Sequence, residues 1–99
     1  MITAEDHRPL HFVLWRAEPG GMESAVNAYV AAFGPHRRCF LFSLRPGPNK
    51  LCPQVSGYTE GEASDRRLYL KWYRYCRAHR HHRFHLLNCG PVILLIALL

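Results

Sequence analysis

Two continuous apolar runs separated by a helical pattern restrict the fold of this chain more than any other feature. The runs are "LHFVLW" (10–15) and "RCFLFSL" (38–44). Continuous rather than alternating apolarity predicts strands covered on both faces, as in a parallel sheet. Between them, apolar residues recur at helical spacing over 22–33, and Gly34-Pro35 follows as a stop signal. Strand, helix and strand with short connections predict a right-handed βαβ unit.

The second half of the sequence continues this alternation. "SDRRLYLKWYRYCRAH" (64–79) predicts an amphipathic helix, "RFHLLNCG" (83–90) a third strand, and Pro91 suits the first turn of a last helix. Residues 45–64 are dense in Pro, Gly and Ser and predict a long irregular loop, with a short strand at "QVSGY" (54–58). We therefore expect one partial α/β domain over all 99 residues, Rossmann-like and three-layered, with a short parallel sheet.

Charge and cysteine usage limit the class of protein. The formal net charge of +6 favours an anionic partner. Acidic residues stand where a secretory signal would have its basic region, so we expect a cytoplasmic protein whose four cysteines are reduced thiols. The apolar run "PVILLIALL" (91–99) has about half the length of a membrane span. It lacks a helix stop signal, so we expect a buried helix that a longer protein continues.

The turn "EPGGMES" (18–24) stands between the first predicted strand and the first predicted helix, where doubly wound sheets bind ligands. Gly20 and Gly21 have no Cβ, so a phosphate could approach their backbone N–H groups beside the helix N-terminus. The pattern is neither GxGxxG nor a P-loop with its lysine, which excludes dinucleotide-binding and Walker-type sites. Spacing alone leaves two alternatives open, a plain chain reversal and a phosphate-facing turn.

The same residues resemble a known family. "HFVLWRAEPGGMESAVNAYVAAF" (11–33), followed by "RCFLFSLRPG" (38–47), resembles the opening of family-4-type glycosyltransferases of the GT-B fold. These enzymes commonly begin with an apolar strand, a Gly-Gly-x-Glu turn, a helix and a second strand that ends near "SL". The most specific part of the match is the tetrapeptide "GGME" at 20–23.

A later segment resembles the next landmark of that family more loosely. "RFHLLNCGPVILLIALL" (83–99) is similar to a strand that ends in Asp-Val-Val-His-x-His and is followed by an apolar helix. His85 stands where the family usually has an acid, and Asn88 stands where it usually has the first histidine. The paired-glutamate motif of the nucleotide-binding domain does not occur in these 99 residues.

The resemblance implies the acceptor-side half of a retaining transferase that moves sugar from a nucleotide-sugar to a glycan or lipid-linked acceptor. The nucleotide-sugar is a co-substrate, and no other cofactor, no metal and no nucleic acid are implied. Gly20, Gly21 and Glu23 would form the turn that faces the donor diphosphate. Asn88 and Gly90 would line the same crevice, because the third strand should neighbour the first. The resemblance nominates no catalytic residue, and we expect this half alone to be inactive.

The alternative interpretation to a glycosyltransferase is a small basic module over 66–83 that binds RNA or an anionic membrane surface. On a glycosyltransferase, the same basic helix would suit peripheral attachment at the inner face of the membrane. A solvated helix face and a chain that folds poorly on its own are the structural alternatives. The module consists of seven basic residues interleaved with four aromatic ones: Arg66, Arg67, Lys71, Arg74, Arg77, Arg80 and Arg83, with Tyr69, Trp72, Tyr73 and Tyr75.

A cluster of cysteines and histidines follows that helix: Cys76, His79, His81, His82, His85 and Cys89. Four of these residues, Cys76, His79, His85 and Cys89, have a spacing that zinc ligands can take. The first two fall on the predicted helix and the other two along the predicted strand, and nothing in the sequence aims both pairs at one point. Burial of both thiols is the simpler interpretation, so we expect no metal here.

Overall fold

A computed structural model describes residues 8–18, 21–33, 37–47, 55–87 and 89–99, although for residues 21–23 it describes the backbone alone. Strands and helices alternate along most of the chain, which is the local pattern that the sequence predicts. In chain order the elements are β1 (Leu10–Arg16), α1 (Gly21–Phe33), β2 (Cys39–Arg45), β3 (Gly57–Glu60), α2 (Asp65–Ala78), β4 (Arg83–Leu87) and α3 (Pro91–Ala97).

The four strands form one sheet in the order β3-β2-β1-β4, and all pairings are parallel. Strand β1 lies between β2, where Leu10 pairs with Cys39, and β4, where Leu14 pairs with Leu87. The chain therefore builds outward from β1 through β2 to β3 and then returns to the free side of β1. The α/β prediction with a parallel sheet is confirmed. The direction of strand order reverses between β1 and β4.

Each face of the sheet carries its own apolar core. On one face, Phe12 and Leu41 pack with Val26 and Val30 of α1. The opposite core contains Val13 and Phe42 from the sheet, with residues of α2 and α3. Neighbouring residues of β1 and β2 thus point into different cores, and both positions are buried. This is the physical reason why these strands show continuous apolar runs instead of alternation.

The core against α2 and α3 is centred on Trp72, whose side chain is completely buried. Its ring packs against Phe42 and Phe84, at centroid distances of 5.4 and 5.9 Å. The indole Nε1–H donates a hydrogen bond of 3.0 Å to the backbone oxygen of Ile93. This bond satisfies a buried donor and connects α2 to α3. Leu68 and Cys76 of α2 are buried beside Trp72, as their helical spacing predicts.

The apolar face predicted for α1 is narrower in the structure. Val26 and Val30 are buried and Tyr29 is half-buried, but Ala25 and Phe33 are exposed. The ring of Phe33 instead lies against Tyr29 at the helix surface, with ring centroids 4.8 Å apart.

The segment 45–64, expected to be a long irregular loop, contains the edge strand β3. It pairs with β2 from Phe40–Gly57 to Ser43–Glu60 and begins three residues later than the strand proposed at 54–58. All four residues of β3 are only half-buried. A four-residue edge strand has no apolar run of its own, which is why composition alone favours a loop there. Residues 48–54 of that loop lie outside the described residues.

Helix α3 begins at Pro91, as predicted, and buries Ile93 against Trp72. Val92, Leu94 and Leu95 are exposed on its other sides, each with half or more of its surface accessible. Among the described helices, none combines the length and apolar character that crossing a bilayer requires.

Candidate functional site

The carboxyl ends of β1 and β4 lie side by side, because Leu14 pairs with Leu87 near the end of each strand. From this edge the chain enters α1 on one face of the sheet and α3 on the other. A sheet whose strand order reverses between two neighbours opens a crevice beyond their carboxyl ends, and ligands of doubly wound folds bind there. We call this place the switch-point crevice. It is the region to which the sequence assigns a site.

The predicted site residues fall at this edge to the extent that the structure describes them. Gly21 and Glu23 are the first and third residues of α1, and Gly90 immediately precedes α3. Gly20 and Asn88 lie outside the described residues. Gly21 follows β1 and Gly90 follows β4. Because these two strands are parallel neighbours, both glycines lie at the same edge of the sheet. Contact of these residues with a ligand stays a prediction.

The backbone of Gly90 adopts φ 88° and ψ 166°, a conformation that is essentially restricted to glycine. A Cβ placed there would meet no other atom within 4 Å. Glycine is therefore required at this position by the backbone and not by crowding.

Strand β2 fixes the point where the chain leaves β1. The Ser43 hydroxyl accepts a hydrogen bond of 2.9 Å from the backbone N–H of Ala17 and donates one of 2.6 Å to the carbonyl of Arg45. Both Ser43 and Ala17 are fully buried. A Cβ at Gly47 would lie 2.6 Å from the Ala17 carbonyl oxygen, so only glycine allows the two connections to come this close. The start of the β1–α1 turn is therefore held rigidly.

Charged side chains at this edge contact one another and neighbouring polar groups. Arg45 forms an ion pair with Asp65 and lies over the ring of Trp15, with its guanidinium carbon 5.2 Å from the ring centroid. The Glu60 carboxylate accepts hydrogen bonds from the Tyr58 hydroxyl (3.1 Å) and the Gly47 N–H (3.3 Å). These contacts order the edge of β2 and β3.

A second group of side chains with potential ligand atoms lies at the opposite, amino end of the sheet. His11, the second residue of β1, is 1% exposed, and His79 and His82 flank the turn between α2 and β4. One nitrogen from each imidazole lies within 4.8 Å of the others. We call these three residues the histidine cluster. It is the one group of three or more potential metal ligands among the described residues.

Hydrogen bonds and stacked rings hold the histidine cluster in place. His11 Nε2 lies 2.8 Å from His82 Nδ1, and His11 Nδ1 is hydrogen-bonded to the Tyr75 hydroxyl. The rings of Phe40 and Phe84 stack on the His11 ring, at centroid distances of 4.9 and 5.0 Å. All these neighbours come from the α2 face of the sheet, where the odd-numbered residues of β1 point.

The electrostatics of the cluster favour the neutral imidazole at His11 and His82. Burial, with smaller contributions from His79 and His82, lowers the pKa of His11 to about 4. Desolvation and the nearby charges of His79, Arg38 and His81 lower the pKa of His82. Neutral imidazole is the form that offers a lone pair to a metal ion or to a hydrogen-bond donor.

The zinc ligand set considered from spacing is not brought together. Cys76 and Cys89 are buried in the core against α2 and α3, where the Cys89 thiol donates a hydrogen bond of 3.2 Å to the Val13 carbonyl. Burial raises the pKa of Cys76 to about 12 and that of Cys89 to about 11, so both remain protonated thiols. His85 is exposed and its ring lies against Phe12 on the α1 side of the sheet.

Sequence reasoning missed His11 as a member of a site. The residue is the one polar side chain in the apolar run "LHFVLW", which predicts a buried strand. A histidine in a strand covered on both faces needs a buried polar partner, and that need was the available signal. The partner could not be identified from the sequence, because it requires knowing that β4 and the end of α2 lie beside the start of β1.

The basic face of α2 is confirmed as solvent-exposed. Tyr69, Leu70 and Tyr73 are exposed together with the arginines, whereas Trp72 and Tyr75 point into the core. We call this face the basic surface of α2; its exposed members are Arg66, Arg67, Tyr69, Leu70, Tyr73, Arg74 and Arg77.

No protein-family model, no curated protein and no solved structure matches this chain. Function is therefore inferred from the sheet order, the residues that follow each strand and the resemblance in sequence.

Proposed function

We propose that this chain is the acceptor-side domain of a retaining, nucleotide-sugar-dependent glycosyltransferase of GT-B type. The observation that carries the proposal is the sheet order β3-β2-β1-β4, whose reversal creates a crevice between β1 and β4. Glycine-bearing connections enter that crevice from both strands, at Gly21 and Gly90. The resemblance of residues 10–44 to the opening of this family supplies the reaction class.

Within this proposal, the N-terminus of the 13-residue helix α1 faces the diphosphate of the donor. Its first backbone N–H groups have no partner within the helix and carry partial positive charge, so they suit an anion. Gly20 and Gly21 allow the phosphate oxygens close approach. Gly90 enters the crevice from the side of β4, and contact of Asn88 with the ligand stays a prediction. The main binding surface for the nucleotide belongs to a second domain, so this domain supplies one wall of the site.

The test is a sugar-transfer assay on the product of the full reading frame that encodes this chain. Purified protein is offered radiolabelled UDP-, GDP- and ADP-sugars with glycan and lipid-linked acceptors. In Gly21→Val a branched side chain stands at the proposed diphosphate turn, and we expect transfer to fall at least about tenfold, or about 1.4 kcal/mol.

Ala28→Val is the matched control, because it adds a comparable side chain at an exposed position two turns further along α1. We expect it to retain activity within about twofold of the parent, a difference below about 0.5 kcal/mol. Absence of transfer from every nucleotide-sugar contradicts the proposal. Equal transfer activity of Gly21→Val and Ala28→Val would show that the glycine turn has no role in transfer.

The basic surface of α2 favours a second function, attachment to an anionic bilayer. Tyr69, Leu70 and Tyr73 are each exposed by more than a third of their surface. Leu70 stands four residues from both Arg66 and Arg74, so these three residues lie on one side of the helix. Apolar side chains that enter the interface, combined with arginines that contact anionic headgroups, are typical of helices that lie on a membrane. RNA is the less suitable partner, because Leu70, the most exposed of the three, cannot stack on a base.

Cosedimentation with vesicles tests this attachment. We expect binding to phosphatidylcholine vesicles that contain phosphatidylglycerol, little binding to phosphatidylcholine alone, and weakening as salt increases. Leu70→Ser and Arg74→Glu should both reduce binding. Arg38→Glu is the control, because it makes the same charge change at an exposed residue immediately before β2 and should leave binding unchanged. Equal loss in Arg38→Glu would indicate a net-charge effect. Preferential binding to RNA would identify RNA, and not the membrane, as the partner of this surface.

A further inference from the structure

We propose that His11, His79 and His82 form a binding site for one divalent transition-metal ion of the zinc type, at the amino end of the sheet. The site lies at the opposite end of the strands from the switch-point crevice. It therefore neither depends on the proposed transferase activity nor takes part in it.

The distances between the three imidazoles suit an ion with small side-chain adjustments. Zinc–nitrogen bonds of about 2.0–2.1 Å in tetrahedral geometry place two ligand nitrogens about 3.3 Å apart. His11 Nε2 and His82 Nδ1 are 2.8 Å apart, and all three nitrogens lie within 4.8 Å. His79 is the C-cap of α2 and His82 lies in the following turn, and neither side chain is fully buried.

The hydrogen bonds around the cluster prepare the lone pairs that a metal needs. His79 Nδ1 lies 3.0 Å from the backbone oxygen of Tyr75 and must donate its proton to that oxygen, which leaves Nε2 as the ligand atom. His11 Nδ1 contacts the Tyr75 hydroxyl, which can donate or accept. When His11 Nδ1–H donates to this hydroxyl, His11 Nε2 carries a lone pair, which accepts a hydrogen bond from His82 Nδ1–H without metal. The ion takes both lone pairs once the proton of His82 moves to its other ring nitrogen. Such outer hydrogen bonds from ligating histidines to oxygen are characteristic of metal sites.

The surroundings of the cluster select the class of ion. Phe40 and Phe84 cover the ring of His11, which makes one side of the site apolar. Three neutral nitrogen ligands suit Zn²⁺, Co²⁺, Ni²⁺ or Cu²⁺ and exclude Mg²⁺ and Ca²⁺, which require oxygen. The nearby positive charge of Arg38 weakens the affinity. With three protein ligands, a tetrahedral ion would keep its fourth position for water.

A Co²⁺ titration of the chelator-treated chain tests the site. We expect one equivalent of Co²⁺ to give the intense visible absorption of a tetrahedral complex, which Zn²⁺ then abolishes by displacement. His79→Ala and His82→Ala should each eliminate this absorption. Tyr75→Phe removes only the outer hydrogen bond to His11 and should weaken the affinity about 10–100-fold.

The controls separate this site from chelation by a histidine-rich turn. His81→Ala and His85→Ala change exposed histidines outside the cluster and should leave the Co²⁺ spectrum unchanged. His11→Phe keeps an aromatic ring between its stacked neighbours and should abolish binding, with circular dichroism reporting whether it folds. In the parent chain, NMR should show the His11 imidazole signals shifting on addition of Zn²⁺.

Three results would overturn the proposal. One is the absence of a tetrahedral Co²⁺ spectrum from the parent chain. Another is a loss of binding in His81→Ala as large as that in His79→Ala. The third is a His11 imidazole that Zn²⁺ leaves unchanged, because the ion would then be held by the turn alone and the cluster would be only a hydrogen-bonded packing contact.

Discussion

Replacing Gly90 by alanine isolates the energetic cost of the backbone conformation at the entrance to α3. At φ 88° and ψ 166° an L-amino acid is strained by about 1–3 kcal/mol. A Cβ there meets nothing within 4 Å, so no steric collision is added. The lower entropy of the unfolded alanine chain offsets about 0.4–1 kcal/mol of this strain. We expect Gly90→Ala to destabilise the chain by about 1–2 kcal/mol.

Thermal unfolding followed by circular dichroism measures this difference. For a domain of about 100 residues, 1 kcal/mol corresponds to a change in Tm of about 4–8 °C, so the expected fall is about 4–16 °C. Gly90→Asn should be equally destabilised, because asparagine tolerates the left-handed helical region but not ψ near 166°. D-alanine has the opposite backbone preference and should be accepted at position 90. Cys89 supplies the junction for introducing it by chemical ligation.

Three outcomes would refute this reasoning about Gly90. A Gly90→Ala chain within about 0.5 kcal/mol of the parent would show that the connection adopts another conformation. A clear rescue by asparagine would indicate a left-handed helical backbone instead. A D-alanine chain as unstable as the L-alanine chain would mean that the side chain itself collides with a neighbour.

Four further predictions concern the core and the thiols. Trp72→Phe loses buried volume and leaves the Ile93 carbonyl without its indole donor, so urea denaturation should show a loss of about 2–4 kcal/mol. Ser43→Ala leaves the buried N–H beyond β1 without its acceptor and should cost about 1–3 kcal/mol in the same assay. Cys76 and Cys89 should resist iodoacetamide at pH 8 in the native chain, since burial raises the pKa of each thiol to about 12 and about 11. Because the unfolded thiols ionise first, the stability of the chain should fall as pH rises above about 9.

Matched substitutions control these measurements. Trp15→Phe changes an exposed indole and Ser24→Ala an exposed hydroxyl, and each should alter stability by less than about 1 kcal/mol. Equal effects of the two tryptophan changes would contradict the importance of the α2–α3 hydrogen bond. Rapid alkylation of Cys76 or Cys89 under native conditions would show that the core against α2 opens readily.

Local patterns in the sequence determine most of the elements of this protein. The runs at 10–15 and 38–44 predict buried strands because burial on both faces is visible in consecutive residues. The helical spacing over 64–79 likewise predicts which side of α2 enters the core, and Leu68 and Trp72 are buried as expected. Continuous apolar strands joined through helices imply a parallel sheet, since only such a sheet is covered on both faces.

Tertiary structure alone decides which distant side chains meet. His11 joins His79 and His82 because β4 pairs with β1 and the end of α2 is carried to the start of that strand. Spacing favours grouping His85 with Cys89, but the strand ends at Leu87, and the two side chains lie on opposite sides of the sheet. Periodicity is a property of neighbouring residues, whereas strand pairing is set by the packing of whole elements. For this reason the sequence could predict an edge for the site but could not reveal the histidine cluster at the other end.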